Sequence, residues 1–205
     1  MIPALAIWLA ALVPTLGLLA AAGAARYWHR QARYDPLTGL PGRDRLRTLA
    51  RRARPRSGPV GVLLLDVDRF KQVNDTYGHR AGDALLTVIA RRLRAATGRG
   101  EVPVRLHGDE FAVWLGRTDP EASARRAREV ARALTRPVCV DGHQLVVTAS
   151  VGHTTSSYAD TVSLAELLHQ ADQAMYRAKH QRHTLASLPT TAPADRLRDL
   201  RKDAS

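Results

Sequence analysis

The sequence contains little cysteine and few aromatic residues, and each shortage excludes something. A single cysteine among 205 residues, Cys139, excludes an intramolecular disulfide and is typical of proteins in a reducing compartment. Aromatic residues make up 5% of the chain, and no basic stretch alternates with them as stacking on nucleic-acid bases requires. The net charge is +12, but the arginines are spread over helix-like stretches. We therefore expect no nucleic-acid partner.

Charge is missing altogether from residues 2–25, although charged residues make up 24% of the chain. A helix of this length spans the roughly 30 Å hydrocarbon layer of a bilayer. Arginine, Tyr27 and Trp28 follow at once, a combination typical of the cytoplasmic interface. The sequence therefore predicts a single-pass protein of the inner (cell) membrane, with a transmembrane anchor at residues 1–25, a juxtamembrane linker at 26–34 and a cytoplasmic domain after it.

A cleavable signal peptide is the alternative interpretation of this segment. Residues 20–25 are all alanine or glycine, which suits a cleavage site. The positively charged start that is usual in signal peptides is missing, however. The uncleaved anchor is therefore the favoured interpretation.

Two acidic turns follow apolar strands in the middle of the chain. Residues 60–65 form a continuous apolar run, typical of a strand buried on both faces, and Asp66 follows it. Residues 104–114 have the pattern of a β-hairpin whose turn carries Asp109 and Glu110. If the strands are neighbours, Asp66 and Asp109 converge, and two close carboxylates repel each other unless a proton or a cation lies between them. Oxygen ligands of this kind suit Mg²⁺ with substrate phosphates, which indicates phosphoryl-transfer chemistry.

Four separated motifs carry a resemblance to a known family. They are DPLTGLPGR at residues 35–43, DVDRFKQVNDTYGHRAGD at 66–83, HGDEF at 107–111 and ADQAMYRAK at 171–179. In this order and spacing the chain resembles the GGDEF domain family of diguanylate cyclases, which condense two GTP into cyclic di-GMP. The resemblance implies a domain at residues 35–184 that works as a homodimer, because one domain holds one GTP.

The resemblance also implies roles for single residues. Asp66, Asp109 and the backbone carbonyl of Val67 would hold Mg²⁺, which Mn²⁺ can replace. Asp109 would be the catalytic residue, supported by Glu110. The residues implied in binding GTP are Asn74 and Asp83 at the guanine, Lys71, Lys179 and the backbone of Arg69 and Phe70 at the phosphates, and His107 and Gly108 in the turn.

The order of the predicted elements indicates the fold class. Strands and helices alternate as βαββαβ, with helices at about 43–53, 119–135 and 164–180, a long amphipathic helix within 75–97, and a strand pair at 138–140 and 145–152. This predicts an α/β (α+β) protein with a ferredoxin-like, nucleotidyl-cyclase-like core: a central, mostly antiparallel sheet flanked by helices and preceded by the transmembrane helix. Residues 185–205 are predicted to form a disordered tail.

Two departures from the family pattern leave an alternative function open. His107 stands where the family usually has a glycine, which permits a positive φ. Residues 182–184 also differ from the usual sequence after the lysine of the last motif. The alternative is a degenerate GGDEF domain that binds GTP or a protein partner without turnover.

Overall fold

The computed structural model describes residues 15–21, 33–53, 58–140, 142–156 and 163–186. From residue 43 onward its elements are, in chain order, α1 (Arg43–Arg52), β1 (Val60–Val67), α2 (Phe70–Tyr77), α3 (His79–Ala96), β2 (Val102–His107), β3 (Glu110–Arg117), α4 (Pro120–Leu134), β4 (Val138–Val140), β5 (His143–Leu145), β6 (Ala149–Thr155) and α5 (Leu164–Ala186).

The main sheet has four strands in the order β2-β3-β1-β6, and every neighbouring pair is antiparallel. β3 lies between β1 and β2, which is the split βαβ arrangement of the predicted βαββαβ core. The predicted mixed class, with an antiparallel sheet flanked by helices, is confirmed. Because β1 is an inner strand, the residues at its end lie between the β2–β3 turn and the start of β6.

Both faces of β1 are buried, as its apolar run predicts. Leu63 and Leu65 point into a core cluster that contains residues of α3, α4 and the β4–β5 hairpin. Val62 and Leu64 point the other way, into a second cluster with residues of α1 and α5. Side chains along a strand alternate between faces, so the next residue on the second face is Asp66, beneath α5.

The long amphipathic helix predicted within residues 75–97 is confirmed as α3, but the prediction missed a separate helix before it. The chain forms two helices, and the first begins at Phe70, directly after β1. They are separated at Gly78, whose φ of 83° interrupts a regular helix. The Asn74-Asp75 pair, which has the composition of a helix N-cap, therefore lies inside α2 and not at its start.

The predicted pairing of residues 138–140 with 145–152 is also wrong. β4 pairs with residues 143–145, and together they form a separate two-stranded sheet. The following strand, β6, pairs instead with β1, from Gly61 opposite Thr155 to Val67 opposite Ala149. Apolar residues near 145–151 suit either sheet, so local composition did not distinguish the two pairings.

Most of the predicted anchor and tail lies outside the described residues. Residues 15–21 are helical, and Leu16, Leu18 and Leu19 are exposed there, whereas residues 1–14 and 22–32 are not described. Within the described segments, no helix has both the length and the apolar character needed to cross a membrane. At the other end, α5 includes residues 185 and 186 of the predicted tail, and residues 187–205 are not described.

Candidate active site

The end of β1 and the β2–β3 turn meet in space. Asp66 is opposite Glu110 in the register of β1 and β3, and the backbone N–H of Val67 lies 3.4 Å from the carbonyl oxygen of Asp109. Asp66 and Asp109, 43 residues apart in the sequence, are thereby brought to the same edge of the sheet. The structure brings together the two acidic strand ends on which the sequence argument depended.

Helix α5 adds a cation to this edge. The Nζ of Lys179 lies 2.5 Å from Oδ1 of Asp66, and the Asp66 side chain is only 16% exposed. The hydrogen bond to Asp66 raises the pKa of Lys179, and the charges of Asp66, Asp68 and Asp109 add to this effect. The lysine therefore remains protonated and offsets part of the negative charge.

Negative charge still exceeds positive charge at the site. Burial raises the pKa of Asp109, and the charge of Asp66 raises it further. Burial likewise raises the pKa of Glu110, although His107 acts in the opposite direction. Carboxylates in this situation are stabilised by a bound cation.

These oxygen donors fit a magnesium ion. Mg²⁺ is usually held by one or two carboxylates together with water and substrate phosphates. Asp66 and Asp109 supply two carboxylates, and the backbone of Val67 lies beside them. In the part of the chain that the structure describes, no group of three or more His, Cys, Asp or Glu side chains is suited to a metal ion, and binding together with phosphates does not require one.

Asp68 has a different function although it is two residues from Asp66. Its Oδ2 accepts a hydrogen bond from Oγ1 of Thr148, and its Oδ1 accepts one from Oγ of Ser150 at 2.6 Å. Its backbone N–H donates to the carbonyl of Thr148. Asp68 therefore ties the end of β1 to the segment that leads into β6.

The β2–β3 turn takes its positive φ at Gly108, whose φ is 50°. His107, the residue that departs from the family pattern, is the last residue of β2 and does not have a positive φ. Its side chain is 69% exposed, and its Nε2 lies 3.2 Å from Oε2 of Glu110. The backbone of the turn therefore does not require a glycine at position 107.

The two residues implied in guanine binding lie on neighbouring helices. Asn74 is on α2, Asp83 is on α3, and Asp83 is exposed. The Asn74 side chain lies against Gly82, where an added Cβ would be 1.9 Å from Oδ1 of Asn74. That Oδ1 atom is buried and accepts no hydrogen bond from any described residue. An unsatisfied buried acceptor is costly, so the site suits a donor from a ligand.

The start of α2 provides the region implied in phosphate binding. Arg69 adopts a left-handed conformation with φ of 59° and precedes the helix, and no side chain caps the helix there. The first N–H groups of a helix lack intrahelical partners and attract anions. Phe70 begins the helix directly after the acidic end of β1, and the side chain of Lys71 is exposed beside it.

A cleft of about 560 Å³ opens next to this region, between α2 and residues 144–148. Arg69 and Lys179 border it, but Asn74 and Asp83 do not. The cleft is therefore separate from the implied guanine position, and the only implied site residues that border it are two of those implied in phosphate binding.

A family model described as "Diguanylate cyclase, GGDEF domain" matches residues 32–184. The chain belongs to the GGDEF domain family. Diguanylate cyclase TpbB of Pseudomonas aeruginosa PAO1 is 40% identical over 158 residues, and diguanylate cyclase DgcN of Escherichia coli K12 is 39% identical over 163 residues. The matches cover 74% and 75% of this chain but only 36% and 38% of those proteins, so the chain spans well under half of their lengths.

The solved GGDEF domain of P. aeruginosa TpbB is similar in structure as well. It matches with a TM-score of 0.65 and 39% identity, over 72% of this chain and 89% of that one. The predicted family is therefore confirmed, and the described sheet and helices form a GGDEF domain.

Sequence reasoning missed three residues that shape the site of this GGDEF domain. Gly82 allows Asn74 to lie against α3, and Gly152 allows α5 to lie directly on β6. Arg105 binds the carbonyl of Gly108 in the signature turn. The glycines are inconspicuous because their φ angles are ordinary, so only a close approach in space explains them. An arginine inside an otherwise apolar strand was a signal for Arg105, since such a charge needs a partner.

Proposed function

We propose that this chain is a membrane-anchored diguanylate cyclase that condenses two GTP into cyclic di-GMP and releases two pyrophosphates. The observation that carries the proposal is the convergence of Asp66 and Asp109 with Lys179, next to the start of α2. Such a site can bind a nucleoside triphosphate and Mg²⁺ at its anionic end. The family relationship supports the same reaction.

The residues of the site fit the parts of that reaction. Each ribose 3′-hydroxyl attacks the α-phosphorus of the other GTP, forming a P–O bond while the bond to the β-phosphate breaks and pyrophosphate leaves. Bound Mg²⁺, held by Asp66, Asp109 and the carbonyl of Val67, would neutralise charge on the phosphates. Lys179 and the N–H groups of Arg69 and Phe70 would orient them, with Lys71 nearby.

Guanine selection is assigned to the two neighbouring helices. Guanine offers the N1–H and N2–H donors together, and a carboxylate such as that of Asp83 can accept both. The buried, unpaired Oδ1 of Asn74 supplies a further acceptor. Adenine lacks this donor pair, so GTP is preferred to ATP. Asp109 and Glu110, whose pKa values are raised mainly by burial, would accept the proton of the 3′-hydroxyl.

The proposed enzyme acts as a homodimer. One domain holds one GTP, and each nucleotide supplies both a nucleophile and a phosphorus centre, so two domains must face each other for both bonds to form. An anchor at residues 1–25 would confine the domains to a plane and favour this encounter. The exposed leucines of residues 15–21 are consistent with an apolar environment there.

The reaction is tested by incubating the purified chain with GTP and Mg²⁺ and separating the products by chromatography. Cyclic di-GMP and pyrophosphate should form in the native chain, and the product should be lost in Asp109→Ala and after chelation of the metal. Asp44→Ala is the matched control, because that carboxylate is 78% exposed on α1 and pairs with Arg47. It should leave the rate unchanged.

The degenerate alternative gives a different result in the same assay. A degenerate domain would bind GTP without forming product in the native chain, and product would form only after His107→Gly. Because His107 does not have a positive φ, the backbone argument for that outcome does not apply, and its pairing with Glu110 keeps the imidazole beside the turn. Equal absence of product in the native chain and His107→Gly would refute catalysis.

Membrane anchoring is tested separately by fractionation. The full chain should sediment with membranes and resist alkaline carbonate, and a chain lacking residues 1–25 should not sediment. A reporter that works only in the cytoplasm should be active when it is fused to the C-terminus, and one that works only outside the membrane should be inactive there. Release of the full chain by carbonate would contradict the anchor without affecting the reaction.

A further inference from the structure

The side chain of Arg105 connects the start of the domain to the signature turn. Its Nε and Nη2 donate hydrogen bonds to the carbonyl oxygen of Gly108 at 3.0 and 2.7 Å. Its Nη1 lies 2.8 Å from Oδ1 of Asp35, and the Arg105 side chain is only 11% exposed. One half-buried guanidinium therefore connects two segments that are far apart in the sequence.

Asp35 is itself rigidly held at its end of this link. The same Oδ1 accepts hydrogen bonds from the N–H of Thr38 at 2.7 Å and from its hydroxyl at 2.6 Å. Burial alone would raise the pKa of Asp35, but these hydrogen bonds and Arg105 together keep that pKa below its ordinary value. The carboxylate is therefore charged at neutral pH and stays paired with the guanidinium.

The whole turn at residues 35–41 is fastened to the domain. The backbone N–H of Arg105 donates to the carbonyl of Pro41 at 3.0 Å, and Leu40 is fully buried. From the other side, Nη2 of Arg94 on α3 donates to the carbonyl of Thr38. The turn is thus bonded to the edge strand β2 and to α3, and it is not a free linker.

The other end of the link bears on Asp109 through peptide geometry. The carbonyl of Gly108 and the N–H and Cα of Asp109 lie in one planar unit, so fixing that oxygen fixes the position from which the Asp109 side chain departs. Gly108 itself has a φ of 50° and no Cβ, and glycine restricts its own backbone less than any other residue does. The two bonds from Arg105 supply the restriction that the glycine lacks.

We propose that Arg105 is a positioning residue that couples the segment entering the domain, through Asp35, to the placement of Asp109 in the active-site turn. The expected effect on turnover rests on the proposed cyclase function, whereas the effect of Arg105 on the conformation of the turn does not. The path from the segment that enters the domain to Asp109 runs through Asp35, Arg105 and Gly108.

The test compares Arg105→Met with Asp35→Asn in the full chain. Arg47→Met is the matched control, because it removes an arginine from an ion pair in which the two side chains are 58% and 78% exposed. Two quantities are measured: kcat and KM for GTP, and the hydrogen–deuterium exchange of the amides of residues 107–110. Arg105→Lys is added because one ammonium keeps the charge but cannot form the two-pronged contact with Gly108.

Arg105→Met should lower kcat by about 10- to 100-fold while KM changes by less than about 3-fold, because a displacement of about 1 Å at a catalytic group has effects of that size. Exchange at residues 107–110 should accelerate while the core strands keep their protection. Asp35→Asn should show a smaller effect of the same kind, since the bonds to Gly108 remain. Arg105→Lys should resemble Arg105→Met, and Arg47→Met should resemble the native chain.

Two results would overturn the proposal. One is unchanged exchange and kcat in Arg105→Met. The other is acceleration of exchange across all strands, which would make Arg105 a residue of general stability. If the native chain makes no product, the cyclase function fails, but the exchange comparison still decides whether Arg105 holds the turn.

Discussion

Replacement of Gly152 by alanine tests how α5 is held against the sheet. Gly152 lies in β6 directly beneath α5, and a Cβ added there would be 2.0 Å from the carbonyl oxygen of Ala171 and 2.4 Å from the backbone nitrogen of Met175. Carbon atoms of this kind essentially never approach other heavy atoms closer than 3.0 Å. The helix must therefore move away from the strand by about 1 Å or more, because backbone atoms cannot rotate aside.

The expected loss of stability follows from that displacement. Protein interiors are close-packed, and forcing additional atoms into them costs about 1–3 kcal/mol. We expect a value near the upper limit, about 3 kcal/mol, because the obstructing atoms belong to the helix backbone. For a domain of this size that corresponds to a decrease in Tm of roughly 10 °C. Since α5 also carries Lys179, the same shift should weaken its contact with Asp66.

Urea unfolding followed by tryptophan fluorescence measures this change, because Trp114 is buried in the core. Gly98→Ala is the matched control: its Cβ would meet only a carboxylate oxygen of Glu101, at 3.8 Å, and its φ is not positive. The control should change the free energy of unfolding by less than about 1 kcal/mol, in the stabilising direction. A Gly152→Ala variant as stable as Gly98→Ala would refute the close packing of α5 on β6.

Two further predictions concern the site. Asp109→Asn should abolish turnover yet raise the free energy of unfolding at pH 7 by roughly 0.5 kcal/mol, the size of a contact between like charges. The reason is that burial raises the pKa of Asp109. The folded chain binds this proton more tightly than the unfolded chain does, so stability is lost as the pH rises through that pKa, and asparagine avoids the loss. The two proteins should therefore be equally stable below about pH 3 in acid titrations followed by circular dichroism, and a variant less stable at pH 7 would contradict the argument. Gly82→Ala should displace the Asn74 side chain, because the added Cβ would lie 1.9 Å from its Oδ1. Loss of one hydrogen bond to the base should raise KM for GTP by about 10-fold and KM for ATP by less. Equal changes for both nucleotides would exclude a guanine contact.

The sequence was sufficient to predict the elements that lead to the site. The apolar run of β1 requires burial on both faces, and the β2–β3 hairpin is encoded by its own turn residues, so both follow from local patterns. The convergence of Asp66 and Asp109 followed once these strands were taken as neighbours. The helix α2 was missed because the local signal was ambiguous: Asn74-Asp75 has the composition of a cap, whereas the actual interruption is at Gly78.

The partner of β6 depended on the tertiary structure. Residues 145–151 have a composition that suits either β4 or β1. In the structure β6 pairs with β1, and α5 packs closely on β6 at Gly152. This packing also sets the position of Lys179, which reaches an aspartate 113 residues earlier in the chain.

The sequence by itself determined the family, the acidic residues and the βαββαβ order of the core, because these depend on residue type and on contacts between near neighbours. Only the tertiary structure determined which long-range contacts hold the site together: Arg105 on Asp35 and Lys179 on Asp66. These pairs are 70 and 113 residues apart in the sequence, so the packing of the domain sets the distance between the two partners. No local pattern encodes that distance.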